Sequence, residues 1–109
     1  MTKKVILQNG RCWLKQGDAL AHFKAMLARY RNGEVISDSQ DHDDLCALIM
    51  AYDAERPADM EAKIGIGLSH FSRELNRGDK WRSPGFHVHR HDGSSIDFSY
   101  IEAVRLASR

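Results

Sequence analysis

Three histidines at alternate positions, His87, His89 and His91, fall in a stretch from Gly85 to Tyr100 where apolar and polar residues alternate. On an extended strand this spacing sends the imidazoles to one side. Neutral imidazoles so arranged can bind zinc, with Asp97 as an oxygen ligand from a facing strand. Asp97 and His87 also resemble half of a proton-transfer dyad. No CxxC or HExxH accompanies the histidines, and no nucleophile sits in a recognisable elbow. The expectation is no metal, no cofactor and no enzyme activity, with the histidines on an exposed polar face.

A second group has the chemistry to meet phosphate. Arg73, Arg77, Lys80, Arg82 and Arg90 follow one another with Phe71 and Trp81 interleaved. Cations neutralise phosphates and an exposed ring stacks on a base, which is the minimum needed to bind single-stranded nucleic acid. Glu74 and Asp79 dilute the segment, and Trp81 has an alternative place in the core. Lys63, ahead of Ile64-Gly65, is a further candidate phosphate contact, although the P-loop spacing and the RNP1 pattern are both absent.

These residues need a scaffold, and the pattern around them predicts one. Asp92-Gly93 separates two alternating runs, Phe86 to Arg90 and Ser94 to Phe98, as in a hairpin. A three-residue loop, His91-Asp92-Gly93 with Gly93 left-handed, pairs Val88 with Ile96 and Phe86 with Phe98. That register buries the four apolar residues together and turns His87, His89, Ser95 and Asp97 outward; a one-residue slip would mix the faces. Asn9-Gly10 marks a first hairpin between Lys4–Leu7 and Arg11–Leu14, read as a type I′ turn. A helix starts at Asp18 as N-cap, buries Leu20, Phe23, Leu27 and Tyr30 with Ala19 and Met26 beside them, and stops at Asn32-Gly33. A second starts near Asp41, with Asp41, Asp43 and Asp44 at its positive end, and buries Leu45, Leu48, Ile49 and Tyr52 before Pro57. Ile64, Ile66 and Leu68 read as a strand whose Gly65 and Gly67 suggest a bulge, followed by a polar link over Asn76 to Asp79. Ser99 to Glu102 fits a capping box for a terminal helix. The architecture is α+β: an antiparallel sheet built from hairpins, two helices on one face and a short C-terminal helix at its edge.

At 109 residues the chain is read as one domain, 1–109. Net charge is only +1, yet residues 1–31 and 63–109 are net basic and 32–62 net acidic. Such segregation steers a polyanion if it persists in space. Cys12 and Cys46 stand apart, outside any CxxC pair, and read as free thiols. Val5-Ile6-Leu7 is too short for a secretory core and no apolar run spans a bilayer, so a cytoplasmic protein without membrane partners is expected.

KIGIG (Lys63 to Gly67), the basic stretch, the strand opening at Phe86, Arg90, Asp92-Gly93 and DFSY (Asp97 to Tyr100) together resemble the DCL-type domain, also called DUF3223. The resemblance spans nearly the whole chain. It makes Gly65, Gly67, Phe86, Asp92, Gly93, Asp97, Phe98, Ser99 and Tyr100 signature positions, and residue chemistry gives most of them structural work: Phe98 as core, Ser99 as cap, Tyr100 as a half-buried aromatic. The link from Tyr52 to Lys63 is longer than the His-Pro-containing link of plant members. The family includes plant plastid proteins connected with ribosomal RNA processing and a module at the C-terminus of the largest subunits of plant RNA polymerases IV and V; small stand-alone bacterial members belong to it too. The resemblance thus implies an RNA-associated role, with single-stranded or structured RNA as partner. The competing expectation is a protein-interaction module using the acidic segment Glu34 to Glu61 or the exposed sheet; a metal-binding or pH-sensing histidine strand is third.

Overall fold

The described residues form eight elements: β1 (Val5–Ile6), β2 (Cys12–Trp13), α1 (Gln16–Ala28), α2 (Ser39–Ala54), β3 (Leu68–Gly78), β4 (Trp81–Arg90), β5 (Ser95–Phe98) and α3 (Tyr100–Ala107). The computed structural model describes residues 3–55, 62–63, 67–78 and 81–108, and for Arg77 and Trp81 the backbone. The fold is α+β, with two antiparallel sheets where one was expected: a β1-β2 hairpin and a β3-β4-β5 meander.

The meander carries the expected register, with Phe86 opposite Phe98 and Val88 opposite Ile96. Its loop is the three-residue form: Arg90 N–H donates to Ser94 O (2.9 Å), Gly93 N–H to Arg90 O (3.1 Å), and Gly93 has φ +87. Asp92 Oδ1 accepts from Ser94 N–H at 2.9 Å and closes the turn. The first hairpin uses the same device rather than a type I′ turn, with Leu7 N–H donating to Arg11 O, Gly10 N–H to Leu7 O, and Gly10 at φ +90. Its paired strands are two residues each.

Phe71, Phe86, Val88 and Phe98 are fully buried on the inner face of the meander, beneath Phe23, Met26, Leu45, Leu48 and Ile49 of the helices. Tyr52 meets Phe98 edge-on at 5.9 Å. Gly33 to Ile36 run beside β3, where Gly33 N–H donates to Arg73 O and Ile36 N–H to Phe71 O, so this segment covers part of the outer edge of β3. Helix α3 does not sit at the edge of the sheet. It packs against both α1 and α2 and buries Ala103, Val104 and Ala107, because its small alanines let it approach each of them closely.

Three boundaries differ from the sequence reading. Helix α1 begins before Asp18, after Lys15, without a side-chain cap. Helix α2 is capped by Asp38, which accepts from Asp41 N–H at 2.9 Å. Asn76 to Gly78, expected as a polar link, belong to β3; Asn76 pairs with Ser83 and Gly78 with Trp81. Pro57, Ile64 and Ile66 lie outside the described residues. At α3, the Ser99 hydroxyl accepts from Glu102 N–H at 3.3 Å, the half of the expected box that the structure has.

Candidate nucleic-acid interface

The proposed phosphate-binding cations separate into two kinds. Three of them serve the protein's own carbonyls. Arg73 donates from Nη1 to Leu27 O (2.8 Å) and Tyr30 O (3.1 Å) and from Nε to Asn32 Oδ1 (3.0 Å), so its guanidinium closes the C-terminal end of α1, where unpaired carbonyls and the negative end of the dipole both favour a cation. Arg90 donates from Nε to Lys63 O at 2.9 Å and approaches Ala62 O and Ser94 Oγ. Lys63 places its ammonium 2.8 Å from Asp97 O and 5.4 Å from the Tyr52 ring centroid, while its own N–H donates to Asp53 Oδ1. Arg73→Ala is therefore expected to cost about 1–3 kcal/mol of stability in chemical denaturation, and at low denaturant to leave any RNA affinity within about twofold.

Of the remaining candidates, Arg77, Trp81 and Arg82 belong to the far end of the β3–β4 ribbon. Strand β5 pairs only with Phe86 to His89, so the ribbon continues past the third strand. Arg77 is in register with Arg82 there, and Arg82 is exposed. The backbone of Trp81 pairs with Gly78; Lys80 and Gly65 lie outside the described residues. Along β4, Arg82 and Arg90 stand about 26 Å apart at ~3.3 Å per residue.

The outer face of the meander carries the histidines, with a hydrogen-bonded chain that sequence did not suggest. Ser72, buried, donates from Oγ to Glu74 Oε2 at 2.6 Å and lies 2.7 Å from His89 Nε2. A hydroxyl has one proton, so His89 must be the donor in that second contact. His89 stacks on His70 with centroids 4.3 Å apart and planes 7° from parallel. Burial and the neighbouring His70 hold the His89 imidazole below its usual pKa. His87 Nε2 is bonded to Asn76 Oδ1 at 2.8 Å and makes no bond to Asp97 across the sheet. His91 is in the turn rather than on the strand, its ring against Gly67, which has φ +134. Both strand histidines thus commit Nε2 to protein partners, and among the described residues no group of three or more His, Cys, Asp or Glu is placed to hold a metal ion.

The acidic middle segment also looks inward. Asp44 has a fully buried side chain that accepts from Asn9 Nδ2 (2.9 Å), Arg11 Nε (3.1 Å) and Gln40 Nε2 (3.0 Å), with His22 Nε2 at 3.0 Å on its other oxygen. Burial pushes this carboxyl up, but the bonds from His22, Gln40, Asn9 and Arg11 outweigh it and hold the pKa below the usual value. Asp41 accepts from Tyr30 Oη at 2.7 Å and from Arg29; burial and the adjacent Asp41 raise Tyr30 to about 12. The free thiol of Cys46 is held above its usual pKa by burial and by Asp43, so it is a weak nucleophile. No helix among the described residues is long and apolar enough to cross a membrane.

A helix-backed antiparallel meander with a projecting ribbon and an uncovered polar face defines a small α+β domain. The chain belongs to the family described as protein of unknown function DUF3223, whose model matches residues 24–104. It is similar to an uncharacterised protein from Rhodospirillum rubrum known from a solution NMR structure, with 28% identity, a TM-score of 0.73, and coverage of 91% of this chain and 86% of that one. No curated protein matches.

Proposed function

We propose that this domain is a non-enzymatic, RNA-associated module that holds the backbone of single-stranded RNA at the tip of its β3–β4 ribbon. One observation carries the reading: the register sets Arg77 and Arg82 opposite each other beyond the end of β5. Like charges at directly opposed positions cost a sheet stability, and an anion between them relieves that cost. Lys80 and Trp81 adjoin the pair in sequence, adding a cation and a ring able to stack on a base. The family resemblance to proteins connected with ribosomal RNA processing points the same way. Docking a protein through the acidic segment is the weaker reading, because Asp41 and Asp44 are spent on internal partners.

The test is binding of a labelled single-stranded RNA followed by anisotropy over a salt series. Affinity should fall steeply with salt, and Arg77→Glu with Arg82→Glu should weaken it and flatten the slope by about 1.4, at ~0.7 per phosphate contact. Absence of measurable binding at low salt by the folded protein removes the reading.

A further inference from the structure

Beside the ribbon tip, the outer face has a notch. Gly85 lies on the outward side of β4, where it presents no side chain, and around it Asn76, Ser83, Asp97, Ser99, Tyr100 and Ile101 line a cleft of about 160 Å³. This is below the size of sites for drug-like ligands and suits one planar group. Its polar equipment is unusually specific. Asn76 gives its Oδ1 to His87, so only its amide hydrogens remain to donate. A Cβ at residue 85 would lie 2.8 Å from that Asn76 nitrogen, so the amide folds over the glycine and depends on its bareness. Lys63 holds Asp97 by its backbone carbonyl, and the Asp97 carboxylate itself takes no hydrogen bond or ion pair from the described residues. An ionised carboxylate only accepts.

A ligand edge that satisfies this notch must present donors to Asp97 and an acceptor to Asn76. Among RNA bases, guanine offers two adjacent N–H donors beside a carbonyl on its Watson–Crick edge; uracil has one donor flanked by acceptors, and cytosine and adenine each have one amino group beside a ring acceptor. Asn76 and Ser83 immediately precede and follow the Arg77–Arg82 positions along their strands, which alternation sets on the opposite face of the ribbon, so a base in the notch would bring its flanking phosphate to the ribbon's edge, one residue from the tip. We infer that this notch is a base-recognition subsite for an unpaired guanine, an inference that rests on the ribbon-tip reading above.

The test compares the wild-type protein on two single-stranded RNA octamers at low salt, one of alternating G and U, one of U alone. The expected result is about tenfold or greater preference for the G-containing strand, the discrimination of one good bidentate base contact. Asp97→Asn and Gly85→Ala, each checked by its melting temperature, should reduce that preference to within about twofold, and the loss should come from the G-containing strand, with Asp97→Asn binding the U octamer no more weakly than wild type because it removes a negative charge beside the polyanion. Arg82→Glu should weaken both strands alike. Equal wild-type affinity for the two octamers, or a preference that survives both notch variants, overturns the guanine subsite and leaves the ribbon tip standing. No binding of either octamer overturns both.

Discussion

Asp44→Ala is expected to be the most damaging polar substitution in the protein, lowering stability by about 3–5 kcal/mol in urea unfolding, because it strips an acceptor from four donors around a buried carboxylate. Asn9 and Arg11 belong to the first hairpin, His22 to α1 and Gln40 to α2, so the substitution loosens three elements at once. The wild-type protein should also show the acid dependence of this group. Its folded pKa is depressed, so its stabilisation is complete above the unfolded value and fades as pH falls below about 3.8 toward the folded value. The difference in stability between wild type and Asp44→Ala should therefore narrow in acid. A difference that stays constant down to pH 2 would show that shape, rather than charge, is what Asp44 supplies.

Phe98→Ala should cost a comparable 3–5 kcal/mol. Phe98 is 1% exposed, faces Phe86 across the sheet and meets Tyr52 edge-on and Phe71 at 6.3 Å. Its removal leaves a cavity where sheet and helices meet, and the neighbouring rings are too constrained by their own packing to fill it. The same signature contains Asp97, whose replacement by Asn should leave the melting temperature within a few degrees of wild type. A small effect of Phe98→Ala would mean that the core relaxes around β5.

The hairpin from Phe86 to Phe98 was legible in the sequence because its inner positions are all apolar and Gly93 fixes the loop, so only one register separates the faces. The apolar stripes of both long helices were legible for the same reason. The length of β3 was not, since Ser72, Glu74 and Asn76 on its outer face meet water or other polar groups and show no contrast of hydropathy; pairing with β4 is what makes Asn76 to Gly78 a strand. Asp44 was hidden by its setting. Three carboxylates near a helix start read as complements to the dipole, and the donors that bury one of them come from distant parts of the chain. Arg73, Arg90 and Lys63 were read as free cations because nothing local betrays a carbonyl partner in another element. The notch was invisible for a related reason: it needs Gly85, Asn76 and Asp97 from three strands, each unremarkable alone.

The Val5–Ser108 bridge, reinforced by Gln16 Nε2 donating to Ser108 Oγ at 2.9 Å, joins the two ends of the described fold. On a ribosome the first strand emerges long before its partner residue exists, whereas the β3–β4–β5 meander is built from neighbours in sequence and needs only a short stretch of chain. Local contacts form quickly and distant ones wait on loop closure, so the meander can form early and the seam closes last, as a latch over helices already in place.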